Sequence, residues 1–102
     1  MIIEINKDNY QKEVLESKGN VIIDFYANWC GPCRMLRPIL EEVARENPNL
    51  KIVSINVDEE KSLTKEYNIF SIPCLVFIKS GKEIKRNAGL VTKEELEVII
   101  NE

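Results

Sequence analysis

Residues Val21-Ile22-Ile23-Asp24-Phe25-Tyr26-Ala27 place the strongest constraint on what this chain can fold into. The run has strand length, is apolar at almost every position and is rich in β-branched and aromatic residues. A strand with one wet face alternates apolar and polar side chains. One that does not alternate is covered on both faces, as central strands are in parallel sheets flanked by helices. The rest of the chain supplies such cover in alternation. Ile2-Ile3-Glu4-Ile5 reads as a short first strand. Asn6 can cap a helix to about residue 17, with Tyr10, Val14 and Leu15 as its apolar side and Gly19-Asn20 as its stop.

Beyond the central run, residues 32–46 carry Met35, Leu36, Ile39, Leu40 and Val43 at helical spacing, with Arg37, Glu41 and Arg45 paired on the other side. Pro32 suits a first turn, Pro38 should kink the helix, and Asn47-Pro48-Asn49 ends it. Residues 52–57 read as a third strand, 61–67 as a short helix and 74–78 as a fourth strand. Ser80-Gly81-Lys82 makes a hairpin into a fifth strand at 83–88, which Gly89 breaks. Thr92-Lys93-Glu94-Glu95 is a capping box that opens a last helix, with Leu96, Ile99 and Ile100 facing inward. The order βαβαβαββα predicts an α/β fold: a central five-stranded mixed sheet, mainly parallel apart from the last hairpin, flanked by four helices.

A length of 102 residues suits one domain spanning residues 1–102. The net charge of −3, with both signs interspersed, gives no basic footprint for nucleic acid and no lysine-rich tail for an anionic membrane. The apolar runs are too short to span a bilayer, and the first residues do not read as a secretory leader, so the expected location is the cytoplasm.

Where the central run ends, Trp29-Cys30-Gly31-Pro32-Cys33 begins. Two cysteines separated by two residues at a helix start can close into a small disulfide and reopen, or form half of a metal site. The chain has three cysteines and no histidine. That composition removes Cys–His catalysis, a histidine base and the two-cysteine two-histidine zinc finger. Zinc wants four ligands, and beyond the pair only Cys74 offers sulfur, so redox chemistry is the favoured reading and no metal or other cofactor is expected. Burial as two small hydrophobes fits poorly with the glycine and proline of an exposed turn.

Cys30 falls at the helix N-cap, where unpaired N–H groups and the helix dipole favour a thiolate by up to ~2 kcal/mol. It is the expected nucleophile. Cys33, one turn further in, should be more buried and act second. Asp24 either faces solvent at a strand end or is a buried carboxyl with a raised pKa behind the cysteines. In the second case it accepts the Cys33 proton, through water, and with no histidine present it is the best base available.

The segment Asp24-Phe25-Tyr26-Ala27-Asn28-Trp29-Cys30-Gly31-Pro32-Cys33 resembles the active-site segment of the thioredoxin family. The resemblance extends over essentially the whole chain through Pro38, Asn56-Val57-Asp58, Ile72-Pro73, Ser80-Gly81 and Gly89. It implies the thioredoxin fold, Pro73 cis and packed against the disulfide, and a flat apolar substrate-binding patch of Trp29, Gly31, Pro32, Ile72, Pro73 and Gly89 around Cys30. Extended client backbone would pair with Ile72. It further implies a monomeric general protein disulfide reductase, recycled by a thioredoxin reductase. Its clients would be disulfide-containing proteins such as ribonucleotide reductase, peroxiredoxin and methionine sulfoxide reductase.

The chain departs from the family pattern at three positions. Tyr26 stands where tryptophan is usual. Ser54 stands where many members have a lysine near the buried aspartate. Cys74 replaces the threonine after the cis-proline, as a small buried residue or as a third redox thiol. Relatives that act as oxidases or isomerases usually carry histidine between the cysteines, which Gly31-Pro32 does not. A non-enzymatic role as a subunit of a larger complex would be recognised by its survival without both cysteines.

Overall fold

The computed structural model describes residues Met1–Glu102. Its elements are β1 (Ile2–Glu4), a π-helical turn (Gln11–Leu15), β2 (Asn20–Tyr26), α1 (Gly31–Glu46), β3 (Leu50–Asn56), α2 (Lys61–Glu66), β4 (Cys74–Lys79), β5 (Lys82–Ala88) and α3 (Lys93–Ile100). The five strands form one sheet in the order β1-β3-β2-β4-β5. Strands β1 and β2 run parallel to β3, whereas β4 runs antiparallel to β2 and to β5. The sheet is therefore evenly mixed rather than mainly parallel. The connection carrying the six-residue α2 does not complete a parallel crossover but returns the chain in the opposite direction beside β2.

The apolar run behaves as its composition requires. In β2, residues 21 to 25 are all buried, and successive side chains serve opposite faces. Val21, Ile23 and Phe25 join Val53, Ile55, Cys74, Val76 and Ile78 in a core layer that also takes in Val14 and Leu63. Tyr67 seals that layer with its ring 5.4 Å from Phe25 and its hydroxyl 2.7 Å from that of Tyr10. On the opposite face Ile22, Ile52, Leu75 and Phe77 pack against Leu36, Leu40 and Val43 of α1 and Leu96 of α3. Each fully buried side chain of this size contributes roughly 1.5–3 kcal/mol. Lys93 at the start of α3 reaches both Glu42 (2.6 Å) and Glu46 (2.9 Å) of α1, and the Thr92–Glu95 capping box is present.

The first helix is shorter and wider than its spacing suggested. Asn6 does act as a cap, accepting the N–H groups of Asp8 and Asn9, while Asn9 Oδ1 accepts the N–H of Asn6. The chain then widens so that Glu16 N–H bonds to Gln11 O, and Lys51 Nζ takes Glu13 O from outside at 3.2 Å. Only Val14 is buried, and Leu15 is exposed rather than part of an apolar side. Inside α1, Pro38 has no N–H to give the carbonyl of Arg34.

The hairpin between β4 and β5 turns on two residues, Ser80 (φ 50°) and Gly81 (φ 82°), so Lys82 already belongs to β5. Two positive φ values in succession match the twist of the flanking strands. A Cβ at Gly81 would also stand 2.7 Å from the backbone oxygen of Leu15, whereas one at Gly89 (φ 98°) would meet nothing within 4 Å. Gly89→Ala should therefore lose roughly 1–2 kcal/mol from backbone strain alone. Gly81→Ala should lose more, because the π-helical turn must also move. Urea unfolding of the two variants checks the order.

Candidate active site

Strand β2 delivers the chain to the site. Ala27 is buried, Asn28 and Trp29 form an exposed turn, and the N–H of Cys30 closes that turn on Ala27 O at 3.2 Å. Cys30 is the N-cap of α1 with extended backbone (φ −87°, ψ 110°), and its sulfur accepts the N–H of Cys33 at 3.2 Å. Cys30 and Cys33 are joined as a disulfide with their Cα atoms 5.3 Å apart. Both are almost wholly enclosed, at 5% and 4% exposure, because they pack together on Ala27 with Tyr26, Val57 and Ile72 around them. On reduction, the N–H of the first helical turn and the positive end of α1 are directed at the Cys30 sulfur, which favours its thiolate.

The rim of the site is apolar and open. Trp29 is 68% exposed, yet its indole N–H is fixed on Asp58 Oδ2 at 2.8 Å. Gly31 is half-buried and Pro32 exposed. Ile72 is half-buried against the cysteine pair, and the Ile72–Pro73 peptide bond is cis. Gly89 donates its N–H to Pro73 O at 2.8 Å, which brings those two loops together. Phe70 and Met35, which sequence reasoning does not single out for the site, are 94% and 63% exposed. Phe70 shares a cleft with Val57, itself packed on the cysteine pair. The signal that could find it is an aromatic residue in the loop two positions before Ile72.

Asp24 does not face solvent. It is 1% exposed, and its Oδ1 has no hydrogen-bond partner. Its sheet neighbours at the same register are Ser54 on one side and Leu75 on the other, and Ser54 is in turn opposite Glu4 of β1. Ser54 is buried, and its hydroxyl donates to Glu4 at 2.8 Å; the hydroxyl of Tyr26 donates to the same carboxylate at 2.9 Å. Asp24 and Cys33 line one half-open cleft of about 280 Å³ with Tyr26, Ala27, Asn28, Arg34 and Arg37. A space of that size holds several waters. Burial raises the Asp24 pKa from 3.8 to about 7, with Arg37 opposing the rise and Glu4 adding to it. Burial and the Glu4 contacts push the Tyr26 phenol up to about 12.

Cys74 is the free cysteine, 4% exposed, placed across from Phe25 in the core layer beneath α2. Burial pushes its thiol pKa up. No group of three or more His, Cys, Asp or Glu side chains converges to hold a metal ion.

The raised Asp24 pKa carries a consequence for stability. Below about pH 4 the carboxyl is protonated in folded and unfolded chains alike. Between about 4 and 7 the unfolded chain ionises while the folded one holds its proton, so stability falls as pH rises. Above the folded value the full penalty applies, on the order of 4 kcal/mol. Asp24→Asn in the oxidised protein should therefore raise the unfolding free energy at pH 8 by a few kcal/mol and flatten its decline between pH 4 and 7. Denaturant unfolding across that range measures both, and a loss of stability at pH 8 would mean that the folded protein favours the ionised carboxyl instead.

Comparison with known proteins adds an independent line. The family model described as Thioredoxin matches residues 1–102. The chain is 44% identical over 101 residues to a thioredoxin of Chlamydia pneumoniae, covering 99% of this chain and 97% of that one. It is 40% identical over 88 residues to a thioredoxin of Mycoplasmoides gallisepticum, covering 86% and 88%. It is 42% identical over 93 residues to thioredoxin H-type 1 of Nicotiana tabacum, covering 91% and 73%.

Proposed function

The chain belongs to the thioredoxin family and is a thiol–disulfide oxidoreductase, and from that premise we propose residue roles, a direction of electron flow and partners. The observation that carries the proposal is the Cys30–Cys33 pair at the start of α1, with Cys33 and the buried Asp24 on one cleft. Cys30 thiolate attacks a client disulfide; the client S–S bond breaks, one client thiolate leaves, and a mixed disulfide joins Cys30 to the client. Cys33 passes its proton to the Asp24 carboxylate through water in the cleft. Its thiolate then attacks the Cys30 sulfur, releasing the second client thiol and closing Cys30–Cys33. Two electrons pass from the protein to the client.

In this reading Trp29, Gly31, Pro32, Ile72, Pro73 and Gly89 form the surface on which an extended client segment lies. The exposed indole and the half-buried Ile72 beside the disulfide support it. The protein acts as a general reductant of the cytoplasm, as a monomer of one domain. A thioredoxin reductase restores the dithiol, and ribonucleotide reductase, peroxiredoxins and methionine sulfoxide reductase are among its clients. No helix is long and apolar enough to cross a membrane. Cys74 takes no part in the cycle, its burial and raised pKa both working against thiolate chemistry.

Equilibration in graded thiol–disulfide buffers, with free thiols counted by mass after alkylation in denaturant, tests direction and participants together. A midpoint at or below about −250 mV marks a reductant, and one near −150 mV marks an oxidant or isomerase instead. One thiol should stay unpaired at every potential, and it should map to Cys74. Cys30→Ser with Cys33→Ser should abolish client reduction while leaving the fold intact; activity retained without both sulfurs would point to a scaffold role.

A further inference from the structure

The Asp24 carboxyl is buried without a hydrogen bond on Oδ1, yet the sheet gives it no cation. Its neighbour in β3 is the neutral Ser54, whose hydroxyl is already committed to Glu4, and its neighbour in β4 is Leu75. The nearest charge along that row, Glu4, has the same sign as ionised Asp24. Tyr26, two residues on and on the same face of β2, is spent on Glu4 as well. The strands around Asp24 therefore work against its carboxylate from every side.

Helix α1 closes the other wall of the cleft, and it presents Cys33, Arg34 and Arg37 there. Cys33 and Arg37 are four residues apart and so lie on one helical face. Arg34 is already engaged, since its guanidinium donates to Asn28 O at 2.8 Å and holds the turn before Cys30. Arg37 is not. It is half-buried, and no carboxylate lies within ion-pairing distance of it. An uncommitted guanidinium and an unpartnered carboxyl thus line the same cleft, with Cys33 on its wall as well.

We propose that Arg37 is a positioning residue for proton transfer. It is the countercharge, acting across the water of the cleft, that keeps Asp24 able to take the proton of Cys33 near neutral pH. The proposal rests on the reading of Asp24 as proton acceptor given above. Arg37 transfers no proton itself. Its positive charge lowers the free energy of the Asp24 carboxylate, and Glu4 biases Asp24 the opposite way. The placement explains how a chain with Ser54 in the sheet still runs carboxylate chemistry: the cation comes from the helix that carries the cysteines.

The test reads the titration of Asp24 directly, from the carbon-13 resonance of its carboxyl in the oxidised protein. In parallel it reads the pH profile for release of the second client thiol from a reduced protein mixed with a disulfide peptide. Arg37→Gln should tighten proton binding by Asp24 roughly tenfold and move the pH profile of thiol release upward by the same factor. Arg37→Lys should stay near the parent in both, and Glu4→Gln should shift both the other way. An Asp24 titration unmoved in Arg37→Gln overturns the proposal, as does a titration that moves while the release profile stays in place. The underlying reading is tested separately by Asp24→Asn. If that variant keeps the parent profile, the base assignment fails. If it flattens the profile and Arg37→Gln leaves it unmoved, the failure belongs to Arg37 alone.

Discussion

Enclosure of β2 governs this molecule. The strand is hydrogen-bonded on both edges, to β3 and β4, and covered on both faces. Its apolar side chains stabilise the fold simply by being there. Its one ionisable residue in the buried stretch, Asp24, is buried with them because the backbone has no other place for it. The strand also fixes where the cysteines stand. The buried residue just beyond it, Ala27, is the surface on which Cys30 and Cys33 pack and the carbonyl on which the active-site turn closes. One element thus sets both the sulfur pair and the carboxyl behind it.

The two roles conflict energetically. A buried, unpartnered carboxyl opposes folding once it ionises, and an asparagine in its place would not. What the carboxyl offers in exchange is a proton affinity matched to neutral pH, which an exposed aspartate lacks. The cleft keeps this arrangement workable. It is large enough for water, and α1 closes it on the side away from the sheet residues Asp24 and Tyr26.

Much of this was readable from the residues. The unbroken run Val21–Ala27 announces a covered strand, Pro32 after Cys30 announces a helix start, and Thr92 with Glu95 announces another; each signal is local, so a single chain carries it. Other features depend on register or on distant packing. The row Glu4–Ser54–Asp24 exists only once three strands are aligned, and nothing in Glu4 alone points to it. The antiparallel entry of β4 depends on how a short helix redirects the chain. The π-helical turn takes a bond from Lys51, thirty-eight residues away from Glu13, and its tight neighbour is Gly81. Arg37 read as one member of a solvent-side charge ladder, and only the packing of α1 over the end of β2 brings it to the cleft.

The near-complete enclosure of the Cys30 sulfur also acts as a filter on orientation. With 5% of the residue in contact with solvent, an incoming group meets sulfur only within a narrow cone of approach. A small flexible thiol or disulfide finds that cone by chance, and most of its collisions are wasted. In the proposed docking mode, a chain laid flat along the rim, against the indole tethered to Asp58, is already aimed when it arrives. In that mode, the entropy of alignment would then contribute to selection among partners.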